Sequence, residues 1–241
     1  MSTTVSTDLL AALERTGPRP ALAWYVEASR IELSGHVLAN WVVKSIGHLH
    51  DEIDLAPGAR VVLDMPPHWK RLVLALAVWS LGGQVTAADP ARATAFLPHV
   101  PTTLPDVLIS DRPGAGPIQD ADEVLAVDAV SLAPRFAGEL PALAHDWVQE
   151  VRASSDRLGV ALPDWSGPLP AVVDEIDPAG VGRPSTAERA DGAPVRMLVQ
   201  QDGLEVMPQV LAALLGCGGI VGPAGALNAR QIADEQVTTG R

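Results

Sequence analysis

The chain has 241 residues, 47% of them hydrophobic and 19% charged, with a formal net charge of −12 at pH 7. This composition belongs to a folded chain with a sizeable core, as one α/β domain or two lobes, and not to a disordered one. The acidic balance argues against nucleic acid and anionic membrane as partners, since both select basic surfaces.

No run reaches the roughly 18 unbroken apolar residues of a membrane span. MSTTVSTDLLAALERTG lacks the basic start and long apolar core of a secretory signal. Cys217 is the sole cysteine, so an intrachain disulfide is impossible and a reducing, cytoplasmic setting is expected. Its apolar surroundings point to packing rather than to a reactive thiol.

In chain order, TDLLAALERT reads as a helix stopped by Gly17 and Pro18. ALAWYVEAS is a strand, carried by Trp24, Tyr25 and Val26. RIE leads to a long helix starting near Ser34, its N-cap, with Leu38, Trp41, Val42, Ile46 and Leu49 at helical spacing. The Pro57-Gly58 turn follows, then RVVLDM (60–65) as a buried strand.

Pro66-Pro67 breaks that strand and opens a helix to Leu81 that is apolar nearly all round, so it is covered on more than one side. Gly82-Gly83 ends the helix, and QVTAA is the next strand, ended by Pro90. Strand, helix and strand with short connections predict a parallel sheet with right-handed crossovers. DVLIS (106–110) and EVLAVD (123–128) add strands on either side of DRPGAGPIQD. Leu143, Trp147 and Val151, four apart, predict a helix over PALAHDWVQEVRASSDRL.

From Pro163 to Pro194 the chain is rich in Pro, Gly and Asp and reads as a long surface connection. VRMLVQ (strand), MPQVLAALLG (helix) and GGIVG (strand) follow, and Asn228 with Gln231 forms a capping box for a last helix, LNARQIADEQ. The expected fold class is α/β, with predominantly parallel sheets, flanking helices and two β-α-β lobes. Residues 1–160 form the large lobe, 161–194 the irregular connection and 195–241 the small lobe, unless the whole is one continuous domain.

Residues 20–111 resemble the opening of the adenylate-forming superfamily, which holds acyl-CoA synthetases, luciferases and peptide-synthetase adenylation domains. Ala39-Asn40, Pro57-Gly58-Ala59-Arg60-Val61, the apolar helix with its Gly turn, Pro90 and DVLISD fall in that group's order. VRMLVQ…VMPQVLAALLGCGGIVGPAGALNARQIADEQVT is similar to its later strand, helix, Gly turn and strand. The resemblance implies a Ser/Thr/Gly-rich loop ending Pro-Lys-Gly between the two stretches, where backbone N–H groups and a cation grip the ATP phosphates. DPAGVGRPSTAERADGAP stands there instead, with Gly180, Gly182 and Arg183-Pro184, no lysine, and Asp177, Glu188 and Asp191 opposing a triphosphate. The family's adenine and ribose motifs and its C-terminal lid have no counterpart before Arg241, so adenylation by the family mechanism is not expected.

The candidate pocket lies where the strand before MPPHW ends, the edge at which open α/β sheets hold ligands. His68 is its candidate hydrogen-bonding group or base and Trp69 its candidate wall. Pro66 shapes the turn and Asp89 sits at the end of the next strand. HLHDE (48–52) contains metal-ligand residue types, but His48 and His50 point to different helix faces, so it reads as a polar helix end and no metal is expected. No Gly-x-Ser-x-Gly elbow occurs, GVGRPS follows no strand, and VVDEID reads as a solvated loop.

The expectation is a catalytically degenerate relative of adenylate-forming enzymes that acts as a ligand- or protein-binding module. The alternatives are a ligase fragment active only with a partner chain and a repurposed nucleotide-binding protein. No catalytic residue and no cofactor is assigned, and residual AMP or ATP binding is not expected. Self-association or a protein partner is expected to cover apolar surface.

Overall fold

The computed structural model describes residues 4–26, 29–88, 104–115, 121–130, 132–171 and 193–238. Helix α1 (Val5–Thr16) starts on a capping box made by Thr4 and Thr7 and stops at Gly17, whose φ of 64° suits glycine. Strands β1 (Pro20–Val26) and β2 (Ser29–Ser34) pair antiparallel, so the RIE lead-in is itself a strand. Helix α2 (Gly35–Asp51) follows, with Ser34 Oγ accepting from the Val37 N–H as the sequence implied. Strand β3 (Arg60–Asp64), helix α3 (Trp69–Ser80) and strand β4 (Gln84–Ala88) then form a parallel β-α-β unit.

Every residue of α3 is buried, as its all-round apolar character predicts. Strands β5 (Val107–Ser110), β6 (Glu123–Ala126) and β7 (His145–Asp146) are followed at once by helix α4 (Trp147–Glu150). The expected helix over PALAHDWVQEVRASSDRL is therefore reduced to four residues. Leu143 has a φ of 67° and is 96% exposed, so it cannot share a helical face with Trp147. Asp146 accepts from the Gln149 N–H and starts the helix there instead. Strand β8 (Arg196–Leu198), helix α5 (Met207–Leu215), strand β9 (Gly219–Gly222) and helix α6 (Ala229–Asp234), with its Asn228–Gln231 capping box, complete the order.

The strands form two sheets, β2-β1-β9-β8 and β4-β3-β5-β6-β7, and every pairing except β1 with β2 is parallel. The chain divides into two compact units, 1–39 with 168–241, and 40–167, and the boundary falls inside α2. In the first unit α1 and α5 pack on the four-stranded sheet, burying Leu9, Leu13, Leu22, Leu211 and Ile220. Because Leu22–Trp24 pair with Ile220–Gly222, residues 1–39 join the strands expected to form the separate 195–241 lobe. In the second unit α3 runs beneath the five-stranded sheet's β3 and β4 as their crossover. No helix among the described residues is long and apolar enough to cross a membrane.

Candidate functional site

In the 40–167 unit the five strands end level with one another: Asp64 is in register with Ala88 and Ser110, Ser110 with Ala126, and Ala126 with Asp146. From β3 the chain first places β4 on one side and later β5, β6 and β7 on the other. The order therefore reverses between β3 and β5, the position at which open parallel sheets characteristically hold ligands beyond their strand carboxyl ends. Aspartate closes the strands around it, as Asp64 after VVL, Asp111 after LIS, Asp128 after LAV, and Asp146 at the end of β7.

At the reversal, Asp64 is buried and Ser110 Oγ donates to its Oδ2 at 3.4 Å. The Arg112 N–H donates to Ser110 Oγ at 3.1 Å, and Arg112 Nη2 lies 3.6 Å from Asp64 Oδ1, too far for a hydrogen bond. Asp64 Oδ1, Asp111 Oδ1 and Arg112 Nε and Nη2 are all buried atoms without a hydrogen-bond partner. Burial raises the Asp111 carboxyl above the ordinary carboxylate value. Arg112 pulls it back, and Asp64 and Asp128 add to the rise. Buried polar atoms are normally paired, so this group of orphans marks the strand ends of β3 and β5 as the strongest candidate site in the unit.

The neighbouring cations are already engaged. Lys70 is fully buried and its Nζ donates to the carbonyls of Asp128 (2.7 Å) and Val130 (2.8 Å). Burial is the main reason its ammonium is brought down to about 8. Arg71 Nη1 reaches the Met65 carbonyl at 3.2 Å and the Ala88 carbonyl at 3.4 Å, tying the ends of β3 and β4 together.

Among the sequence-predicted residues, His68 is the N-cap of α3, with Nδ1 accepting from the Lys70 N–H at 3.2 Å. Burial first, and then the charges of Lys70 and Arg71, bring its imidazole down to about 3, so it is neutral at physiological pH. Trp69 packs edge-on against Trp41 at 5.2 Å, and Trp41 lies 5.8 Å from Trp147, so the ring belongs to an aromatic core cluster. Pro66 is half-buried in the turn between β3 and α3. Asp89 lies outside the described residues.

Sequence reasoning passed over Asp64, Asp111 and Arg112. The recurrence of Asp after each apolar strand was the available signal. It also passed over the loop between β6 and β7, which borders a cleft of about 760 Å³ lined in part by Asp128, Arg135, Phe136, Leu140 and Asp146. Two of the strand-end carboxylates hold that loop: Asp128 accepts from the Val130 and Ala137 N–H groups, and Asp146 from that of Phe136.

No family model matches the chain. A Mycobacterium tuberculosis protein named "TIGR03089 family protein" is 30% identical over 250 residues, covering 98% of this chain and 97% of that protein. Among solved structures, a Brucella canis acyl-CoA synthetase superposes with a TM-score of 0.66 at 17% identity, over 99% of this chain and 47% of its own. The inhibitor-bound N-terminal domain of FACL13 from Mycobacterium tuberculosis gives 0.62 at 12% identity, over 99% of this chain and 62% of its own. The N-terminal subdomain of Klebsiella oxytoca NpsA, in complex with 3-hydroxyanthranilyl-AMSN, gives 0.60 at 14% identity, over 99% of this chain and 59% of its own. The fold is that of the N-terminal part of adenylate-forming enzymes, and the chain spans about half the length of the Brucella synthetase it matches.

Proposed function

We propose a function from one premise: this chain belongs to the TIGR03089 family, whose Mycobacterium tuberculosis member it matches along nearly its whole length. It uses the adenylate-forming fold as a binding module and does not make acyl-adenylates. Its ligand, a small polar molecule or a side chain of a partner protein, sits at the carboxyl ends of β3 and β5.

The observation that carries this reading is the unsatisfied group formed by Asp64, Asp111 and Arg112. Two carboxylate oxygens there lack donors, so the fitting ligand brings N–H or O–H groups. A triphosphate brings only acceptors and negative charge. It would be repelled by Asp64, Asp111 and Asp128, and Arg112, the one cation in the cluster, already faces Asp64 and Asp111. The sequence between 177 and 191 adds three acidic residues and no lysine where the resemblance places the phosphate loop. The neutral, capping His68 and the doubly bonded Lys70 supply no accessible acid or base.

The test is ATP–pyrophosphate exchange with a panel of carboxylic acids. No exchange above the protein-free blank is expected. Exchange by the purified chain would overturn the proposal, and exchange appearing only with a co-purifying chain would replace it with a ligase completed in trans.

A further inference from the structure

The C-terminal end of α2 and the segment around α4 bring three metal-ligand side chains together within the 40–167 unit. His48 Nε2 lies 2.9 Å from Glu150 Oε2, and His145 Nδ1 lies 2.8 Å from the same oxygen. One ligand atom from each residue falls within 4.8 Å of the other two. His48 is buried, with Nδ1 lacking a hydrogen-bond partner, whereas His145 and Glu150 are half-buried.

The surrounding structure holds the three in place. Glu150 Oε1 accepts from the Asp146 N–H at 3.1 Å. Lys44, one helical turn before His48, donates to the carbonyls of Arg152 (3.1 Å) and Ser154, which fastens α2 to the segment after Glu150. On its other side His145 turns Nε2 toward Glu123 Oε2 at 3.6 Å. A cleft of about 550 Å³ opens beside the group, lined by Asp51, Glu52, His145, Glu150, Ala153 and Ser154 among others.

We propose that His48, His145 and Glu150 form a site for a divalent transition-metal ion of the zinc class, with its fourth position open to this cleft. Two imidazoles and one carboxylate are a donor set for zinc and its neighbours rather than for magnesium or calcium, which take oxygen. Zinc bonds of about 2.0–2.2 Å put tetrahedral ligand atoms roughly 3.4 Å apart. The observed 2.8 and 2.9 Å separations from Glu150 Oε2 need spread by only about half an ångström. On binding, His145 coordinates through Nδ1 and carries its proton on Nε2, which faces the Glu123 carboxylate at 3.6 Å, within ion-pair range but beyond a hydrogen bond. Asp51 and Glu52 on the rim draw cations to the opening. The site shares no residue with the Asp64–Asp111–Arg112 group.

The experiment uses the tag-free, EDTA-stripped chain, titrated with zinc chloride by calorimetry and with cobalt(II) followed by visible absorption. Wild type is expected to bind one zinc per chain, to give the intense cobalt bands of a four-coordinate site, and to ignore magnesium. His145→Gln and Glu150→Gln, both at half-buried positions, are expected to keep the wild-type circular dichroism and to lose at least tenfold in zinc affinity. No saturable zinc binding by wild type would overturn the proposal and leave Glu150 as an acceptor shared by two histidines. Undiminished binding by either folded variant would overturn it equally.

Discussion

Glu235 offers the sharpest quantitative test of the 1–39 and 168–241 unit. Its side chain is 4% exposed and accepts from Tyr25 Oη at 2.6 Å, Arg30 Nε at 2.5 Å, and Arg196 Nη2. Burial alone would raise this carboxyl, but the hydrogen bonds from Arg30, Tyr25 and Arg196 outweigh it and hold it at about 2 instead of 4.5. That displacement corresponds to ~3.4 kcal/mol. Arg30 is 41% exposed and therefore screened, so the contribution is reduced to about 2 kcal/mol. Glu235→Gln keeps the shape, removes the charge, and turns an N–H group toward one of the guanidinium donors. Because the folded value is depressed, the stabilisation is complete above the unfolded value near 4.5 and disappears as pH falls toward 2. Urea unfolding at pH 7 is expected to show the variant about 2 kcal/mol less stable, with the gap closing between pH 4.5 and 2.5. A variant within about 0.5 kcal/mol of wild type at pH 7, or a gap that ignores pH, would refute the reasoning.

Other outcomes follow from single contacts. A Cβ at Gly35 would stand 2.3 Å from the Leu13 carbonyl oxygen and 2.7 Å from Thr16 Cβ, so Gly35→Ala is expected to cost more than ~2 kcal/mol in thermal unfolding. At Gly159 the same Cβ meets nothing within 4 Å, and Gly159→Ala should be neutral within about 0.5 kcal/mol. The Lys70 ammonium is held at about 8, below its ordinary 10.5, so between these values the unfolded chain binds more protons and stability rises with pH. From pH 8 to 9.5 the gain is about 1.5 kcal/mol in wild type and absent from Lys70→Met, which chemical denaturation at the two pH values measures.

What the sequence disclosed was mostly local. The Pro66-Pro67 break, the largely apolar α3, the capping role of Ser34 and the Asn228–Gln231 box each depend on residues within a single element or its ends, and each is present. The helix over PALAHDWVQEVRASSDRL failed because a four-residue spacing of apolar side chains does not report a positive φ at Leu143 or a carboxylate cap at Asp146. Pairing was similarly hidden. Nothing in the periodicity of ALAWYV says that it lies beside GIVG nearly two hundred residues later, because strand partners are chosen by the whole fold.

The site divided in the same way. Strand ends can be read from the sequence, and that is what directed attention to the carboxyl edge. The residues selected there, His68 and Trp69, serve a helix cap and an aromatic core, while the orphaned charged atoms belong to Asp64, Asp111 and Arg112. In HLHDE the two histidines diverge as expected, His50 to Asp51 at the surface and His48 inward. Its partners His145 and Glu150 lie about a hundred residues away, beyond any local spacing rule.

Under the proposed function, the adenylate-forming fold holds a ligand other than a nucleoside triphosphate. Calorimetric titration of the purified chain with Mg-ATP, with AMP and a non-hydrolysable acyl-adenylate mimic in parallel, tests it most directly. No saturable heat and no thermal stabilisation are expected from any of the three. Saturable ATP binding, which at about 100 times its dissociation constant would add roughly 2.7 kcal/mol of stability, would contradict the account.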